Sequence, residues 1–200
     1  VDLEVGGTVE DQGDAFGDLG TLLILIVILV YIVMATQFES LKFPFIIMFT
    51  IPLAFTGTFL ALWLTGTPLS IIALIGAIML VGIVTKNGIV MVDYMNLLIE
   101  RGSGVFDAVI AGGKSRLRPV LMTSFTTILG MLPLAIGTGA GSETWQPMGI
   151  AVIGGLTFST ILTLFIVPVL YSILVNRSQR KEREKLARLS AEHQASKHLK

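Results

Sequence analysis

The chain has 200 residues, 53% of them hydrophobic and only 14% charged, with a mean hydropathy of +0.82. A soluble domain is about a quarter charged, so this composition, with its apolar residues in long runs, points to a multispanning membrane protein. The formal net charge of zero hides a strong segregation, and the absence of cysteine excludes disulfides and thiolate metal sites.

The first 18 residues are polar, acidic and glycine-rich. Asp2, Glu4, Glu10, Asp11, Asp14 and Asp18 fall there with no Lys or Arg beside them. No basic-then-apolar signal pattern is present. The segment reads as the end of a water-exposed region, and the chain as a piece of something longer. Residues 19–37 are almost uniformly apolar. At 1.5 Å per residue such a run crosses about 30 Å of hydrocarbon as a helix. Residues 37–42 form a short polar turn. The second span is expected at 44–64, with Pro44 in its first turn and Pro52 predicting a kink.

Residues 65–68 make an uncharged turn, and the third span is expected at 69–98. A short amphipathic surface helix is expected at 105–111. The fourth span is expected at 117–136, with Pro119 in its first turn and Pro133 near its end. A glycine-rich loop at 137–143 leads to the fifth span, 148–175, with Pro168 late in it. The polar tail from 176 carries eight of the fourteen basic residues, with charges at helical spacing around Glu182 and Glu184. It reads as a helix of marginal stability. His193 and His198 lie in it and read as solvated. The fold class is therefore all-α, with five transmembrane helices. The domain reading is 1–18 as the end of a water-exposed region, periplasmic or extracellular by the orientation below, 19–176 as the transmembrane domain and 177–200 as a basic tail.

Orientation follows from charge. Five spans create alternating sides, and every Lys and Arg except Lys86 falls on the side of the 37–42 turn, the 101–118 segment and the tail. By the positive-inside rule that side is the cytoplasm.

Lys86 is the exception that organises the chemistry. It lies deep in the third span, eight residues and about 12 Å before Tyr94 at the cytoplasmic end. A cation in hydrocarbon costs from about 3 to more than 10 kcal/mol and marks an ion or proton pathway by default. The bland alternative is a lysine that snorkels to the interface. A buried charge needs a partner. Asp93 shares the helix face but lies two turns away near the interface, and Glu39 and Glu100 are at membrane edges. The acidic partner is therefore expected outside this chain. Asn87 adds an amide at the same depth and reads equally as a relay member or as a helix–helix hydrogen bond. Arg116 and Thr123 lie seven apart, hence on one helix face. Arg116 also reads as an interfacial anchor, and Thr123 as back-bonding to its own helix. Gly76, Gly82, Gly88, Gly130, Gly149, Gly154 and Gly155 suggest close helix packing. No phosphate loop, metal-ligand cluster or nucleophile triad is present, so no cofactor and no enzyme activity is expected.

Three stretches in order carry a resemblance: 82–94 (GIVTKNGIVMVDY), 116–124 (RLRPVLMTS) and 128–135 (ILGMLPLA), supported by Gln37-Phe38-Glu39-Ser40, Pro44 and Gly139-Ala140-Gly141-Ser142. Together they resemble the resistance-nodulation-division (RND) efflux transporters, most closely the hydrophobe/amphiphile branch of bacterial multidrug pumps. The resemblance covers residues 14–176. It implies that the five helices are the last five of a twelve-helix bundle, so that the chain is a C-terminal fragment. The preceding part would hold two large periplasmic domains. It implies a proton relay in which Lys86 opposes two aspartates of an earlier span, with Asn87, Arg116 and Thr123 at the other relay positions. Protonation of the acidic pair would weaken its ion pair with Lys86 and let the helices shift, a two-state element biased by a proton. The heavy-metal branch resembles this arrangement without the lysine, so Lys86 argues against metal export. The resemblance also implies proton antiport, multi-pass residence in the inner membrane with a cytoplasmic C-terminus, and a homotrimer with a periplasmic adaptor and an outer-membrane channel. The alternatives are another RND role, in lipid export or translocation support, and a passive membrane anchor. Substrate-binding residues are not readable from this stretch.

Overall fold

The computed structural model describes residues 5–137 and 141–198, with side chains described over 11–137 and 141–177. The expected charge pairs and histidines of the tail, the first acidic residues and part of the 137–143 loop lie outside the described side chains. The order is α1 (Val5–Gln37), α2 (Lys42–Met48), α3 (Thr50–Thr65), α4 (Ile71–Glu100), α5 (Val105–Ile136) and α6 (Ser142–His198). Five stretches of helix are long and apolar enough to cross a membrane: Asp11–Gln37, Lys42–Thr65, Ile71–Glu100, Val105–Ile136 and Ser142–Arg177. The described residues are all-helical apart from short connections.

The second span is interrupted at one residue, near the kink that Pro52 predicts. Pro52 has no N–H for the carbonyl of Met48, and its ring crowds that carbonyl. The regular hydrogen bonding accordingly lapses at Phe49, between Met48 and Thr50, while its backbone stays helical at φ −64° and ψ −18°. The Thr50 hydroxyl donates to the Ile47 carbonyl at 2.6 Å, satisfying one of the groups the break exposes. Gly66 and Gly137 end α3 and α5 in the left-handed conformation, at φ 67° and 71°. Such a cap favours glycine, which has no Cβ to clash. Ser70 caps α4, its hydroxyl accepting from the Ala73 amide at 3.2 Å.

Two helices run past the expected membrane edges. The separate surface helix expected at 105–111 does not occur: it is the first part of α5, which continues unbroken through Pro119. Pro119 is therefore mid-helix, not in a first turn. Likewise α6 continues from the membrane into the tail as one helix of 57 residues. Polar sequence marks where hydrocarbon ends, not where helix ends.

The bundle is built on α6, which packs against α3, α4 and α5. Lipid chains are as apolar as leucine, so helices associate here by close packing and hydrogen bonds rather than by leaving water. At the α3–α6 seam a Cβ on Gly57 would lie 2.8 Å from the Gly154 carbonyl and collide with Phe158. A Cβ on Gly155 would collide with Leu80 and Thr58, and one on Gly154 with Ala61. The Thr58 hydroxyl crosses the seam to the Ala151 carbonyl at 3.1 Å. Gly76, Gly88 and Gly149 also meet neighbouring helices closely, whereas Gly82 and Gly130 face open space. The largest buried cluster joins Met34, Ile46, Ile47, Met91, Met95, Val167 and Tyr171. Tyr171 stacks on Phe43 at 5.6 Å and donates to the Asn96 side-chain carbonyl, tying α6 to α2 and α4. By contrast α1 has almost none of its apolar stretch covered by the other helices.

Candidate functional site

The site is built on α4 and α5. Four residues, 101–104, connect them, so the two helices are antiparallel neighbours. A fixed point between them is Gly112, where a Cβ would lie 2.6 Å from Met95 Cγ. Counting from that contact at 1.5 Å per residue, Thr123 falls near the depth of Val84 to Lys86.

Within α4, consecutive residues take opposite roles, as a period of 3.6 requires. Val84, Thr85, Asn87, Gly88, Met91 and Val92 are buried against the other helices. Met79, Gly82, Lys86, Asp93 and Leu97 lie on the exposed face. Lys86 is thus on the side of α4 that this bundle leaves open, and no carboxylate among the described residues pairs with it. Gly82, one turn before it, faces open space, so the surface beside the lysine is flat. Asn87 is 8% exposed and faces inward, and no hydrogen bond to a described residue holds its amide.

On α5, Val105, Ala108, Gly112, Val120 and Ser124 are buried, and Arg116 falls in that same stripe at spacing four from Gly112 and Val120. Lys114 and Arg118 are exposed on other faces. Arg118 is exposed as an interfacial anchor would be, whereas Arg116 is half-buried. The Arg116 guanidinium carbon lies 4.5 Å from the centroid of the Tyr94 ring, and its Nε is buried without a hydrogen-bond partner among the described residues. Thr123 is exposed and its hydroxyl donates to the Val120 carbonyl at 3.0 Å, the local back-bond expected as the alternative. Its neighbour Ser124 turns inward and shares a 2.9 Å hydrogen bond with Thr160 of α6.

The structure therefore does not gather the four expected relay residues into one cluster. Lys86 and Thr123 share a depth and are both exposed, Asn87 faces the interior, and Arg116 sits level with Tyr94 about two turns away. Asp93 lies at the edge of a cavity of about 300 Å³ near the ends of α1 and α4, with Glu39, Asn96 and Glu100. Two features escaped the sequence reading: the Arg116–Tyr94 contact and the Tyr171–Asn96 bond. Neither leaves a mark in composition, since both depend on how two helices are set against each other. No group of three or more potential metal-ligating side chains occurs among the described residues.

Comparison with known proteins bears on the family and does not single out the hydrophobe/amphiphile branch. The model of the AcrB/AcrD/AcrF family matches residues 1–175. The cobalt-zinc-cadmium resistance protein CzcA of Cupriavidus metallidurans is 40% identical over 177 residues, 88% of this chain and 17% of that protein. The swarming motility protein SwrC of Bacillus subtilis is 37% identical over 182 residues, 90% of this chain and 17% of that protein. A crystal structure of a heavy metal efflux pump superposes with a TM-score of 0.77 at 34% identity, over 84% of this chain and 17% of that one. The chain thus spans about a sixth of the length of the relatives it matches.

Proposed function

This chain belongs to the AcrB/AcrD/AcrF family of RND permeases, and on that premise we propose that it is the C-terminal five-helix part of a proton-driven efflux pump in which Lys86 is the intramembrane cation of the relay. One observation carries the reading. Lys86 stands on the open face of α4, at hydrocarbon depth, with no acidic partner among the described residues. A charge so placed is tenable when a carboxylate docks onto it from another part of the protein. Gly82 and Asp93 share that face, and Thr123 is uncovered by the other helices at the same depth. The docking element would thus meet Lys86 and Thr123 together, with Asn87 behind them and Arg116 toward the cytoplasmic end.

In this reading the acidic partner is ionised and paired with Lys86 in one state. Its protonation removes the attraction, and the two half-bundles move against each other. Periplasmic domains outside this chain would turn that shift into cargo movement, in a trimer with a periplasmic adaptor and an outer-membrane channel. The 101–104 connection and the tail lie on the cytoplasmic side, because the basic residues collect there.

The cargo we propose is an amphiphilic organic compound, supported by the lysine in the 82–94 motif. A second reading, metal export, is favoured by the relatives named for cobalt-zinc-cadmium resistance and heavy metal efflux. Expression of the complete transporter in a pump-deficient host separates them. Resistance to amphiphilic dyes and detergents without resistance to cobalt, zinc or cadmium supports the first, and the reverse pattern supports the second. In either case Lys86→Ala is expected to remove resistance while the protein still inserts and assembles. Full resistance in that variant would refute the role of Lys86.

A further inference from the structure

Arg116 is a cation without a counter-ion among the described residues. Arg116 is half-buried beside the packed stripe of α5, and its Nε is buried with no acceptor among the described residues. What faces it is an aromatic ring: the guanidinium carbon lies 4.5 Å from the centre of Tyr94. This falls within the range at which a cation is attracted by the negative face of a ring, an attraction that strengthens away from water. The geometry is set by the backbone. Gly112 brings α5 so close to Met95 that a Cβ would lie 2.6 Å from its side chain. Arg116 is one turn beyond Gly112, and Tyr94 is the residue before Met95. Side chains on a helix lean toward its N-terminus, so Arg116 leans back over the level of Tyr94.

The kind of partner matters for what Arg116 can do. A carboxylate in place of the ring would neutralise the guanidinium and occupy its hydrogen-bonding fork. A ring holds the charge by one face and takes none of its donors. No described residue engages the terminal nitrogens, so they stay available to an acidic group arriving from another part of the protein. We infer that Tyr94 is a positioning residue for Arg116: its ring holds the guanidinium in place while leaving it un-neutralised for the relay. The inference rests on the reading of Arg116 as a relay cation.

The test uses the complete transporter, with resistance to ethidium and to zinc measured for the wild type and the exported probe then used for rates. Transport rates are compared for Tyr94→Phe, Tyr94→Leu, Arg116→Ala and a series in which position 94 carries phenylalanine with increasing numbers of ring fluorines. Fluorines drain the ring face of negative charge while barely changing its shape. Tyr94→Phe is expected to keep the wild-type rate. Tyr94→Leu is expected to lose between about two- and thirtyfold. The fluorinated series is expected to fall stepwise, which a space-filling role would not produce. A flat series beside a defective Arg116→Ala overturns the role of Tyr94 and leaves the relay intact. An Arg116→Ala variant with wild-type transport overturns the relay role of Arg116 and the inference with it. Export of neither probe by the wild type overturns the efflux reading on which both depend.

Discussion

At the scale of single residues, Lys86 is exposed on α4 while its neighbour Asn87 is buried, and Arg116 of α5 packs on the Tyr94 ring. Lys86 is visible because a cation in an apolar run violates the pattern around it. Arg116 is visible as a residue, but sequence spacing gives it two equal meanings. Only the packing of α5 on α4 shows that it is half-buried against the Tyr94 ring. Asn87 was read at the depth of Lys86, and the helical period then turns the two to different sides. Tyr171 gave no signal at all, since an aromatic in an apolar span is ordinary. Its hydroxyl nevertheless joins α6 to Asn96 of α4. Tyr171→Phe removes that bond while keeping the stacking on Phe43. We expect a loss of about 1 kcal/mol, the order found for hydrogen bonds between membrane helices, read by denaturant titration of the purified protein. Tyr171→Ala also empties the buried volume and should cost several times more.

At the scale of elements, hydropathy located the apolar cores of the spans but not the ends of the helices. The reason is physical: a backbone in water can stay helical when a packed face supports it. The stripe from Val105 to Gly112 does this for α5, so the helix begins well before the apolar run. The glycines show a similar limit. Seven glycines in the spans suggest close packing, yet Gly82 and Gly130 face open space. A direct comparison follows. Gly155→Leu must displace Thr58 of α3 and Leu80 of α4, and overpacking of this kind costs about 1–3 kcal/mol. Gly130→Ala meets nothing and removes a flexible residue from a helix, which should stabilise by about 0.5–1 kcal/mol. Thermal unfolding in detergent should move down for the first and up for the second. Equal shifts would mean that α3 and α6 do not pack as closely as their glycines allow.

At the scale of the whole molecule, the class and the five-helix count follow from long apolar runs, and the family from three motifs in order. The openness of the bundle does not follow from them. It comes from which faces the helices leave uncovered, α1 almost entirely and the Lys86 face of α4. Those uncovered faces are where the rest of a larger protein would dock. The orientation is testable because the chain has no cysteine. In the complete transporter, provided the rest of the protein is made cysteine-free too, Ser103→Cys should react with a membrane-impermeant maleimide only from the cytoplasmic side, and Thr67→Cys only from the opposite side. The central claim concerns Lys86, and proton movement tests it most directly. The complete transporter is reconstituted in liposomes with a pH gradient and an internal pH-sensitive dye, and cargo-dependent proton flux is followed. The account predicts flux in the wild type and none in Lys86→Ala at equal protein incorporation. Undiminished cargo-dependent flux in Lys86→Ala would contradict it.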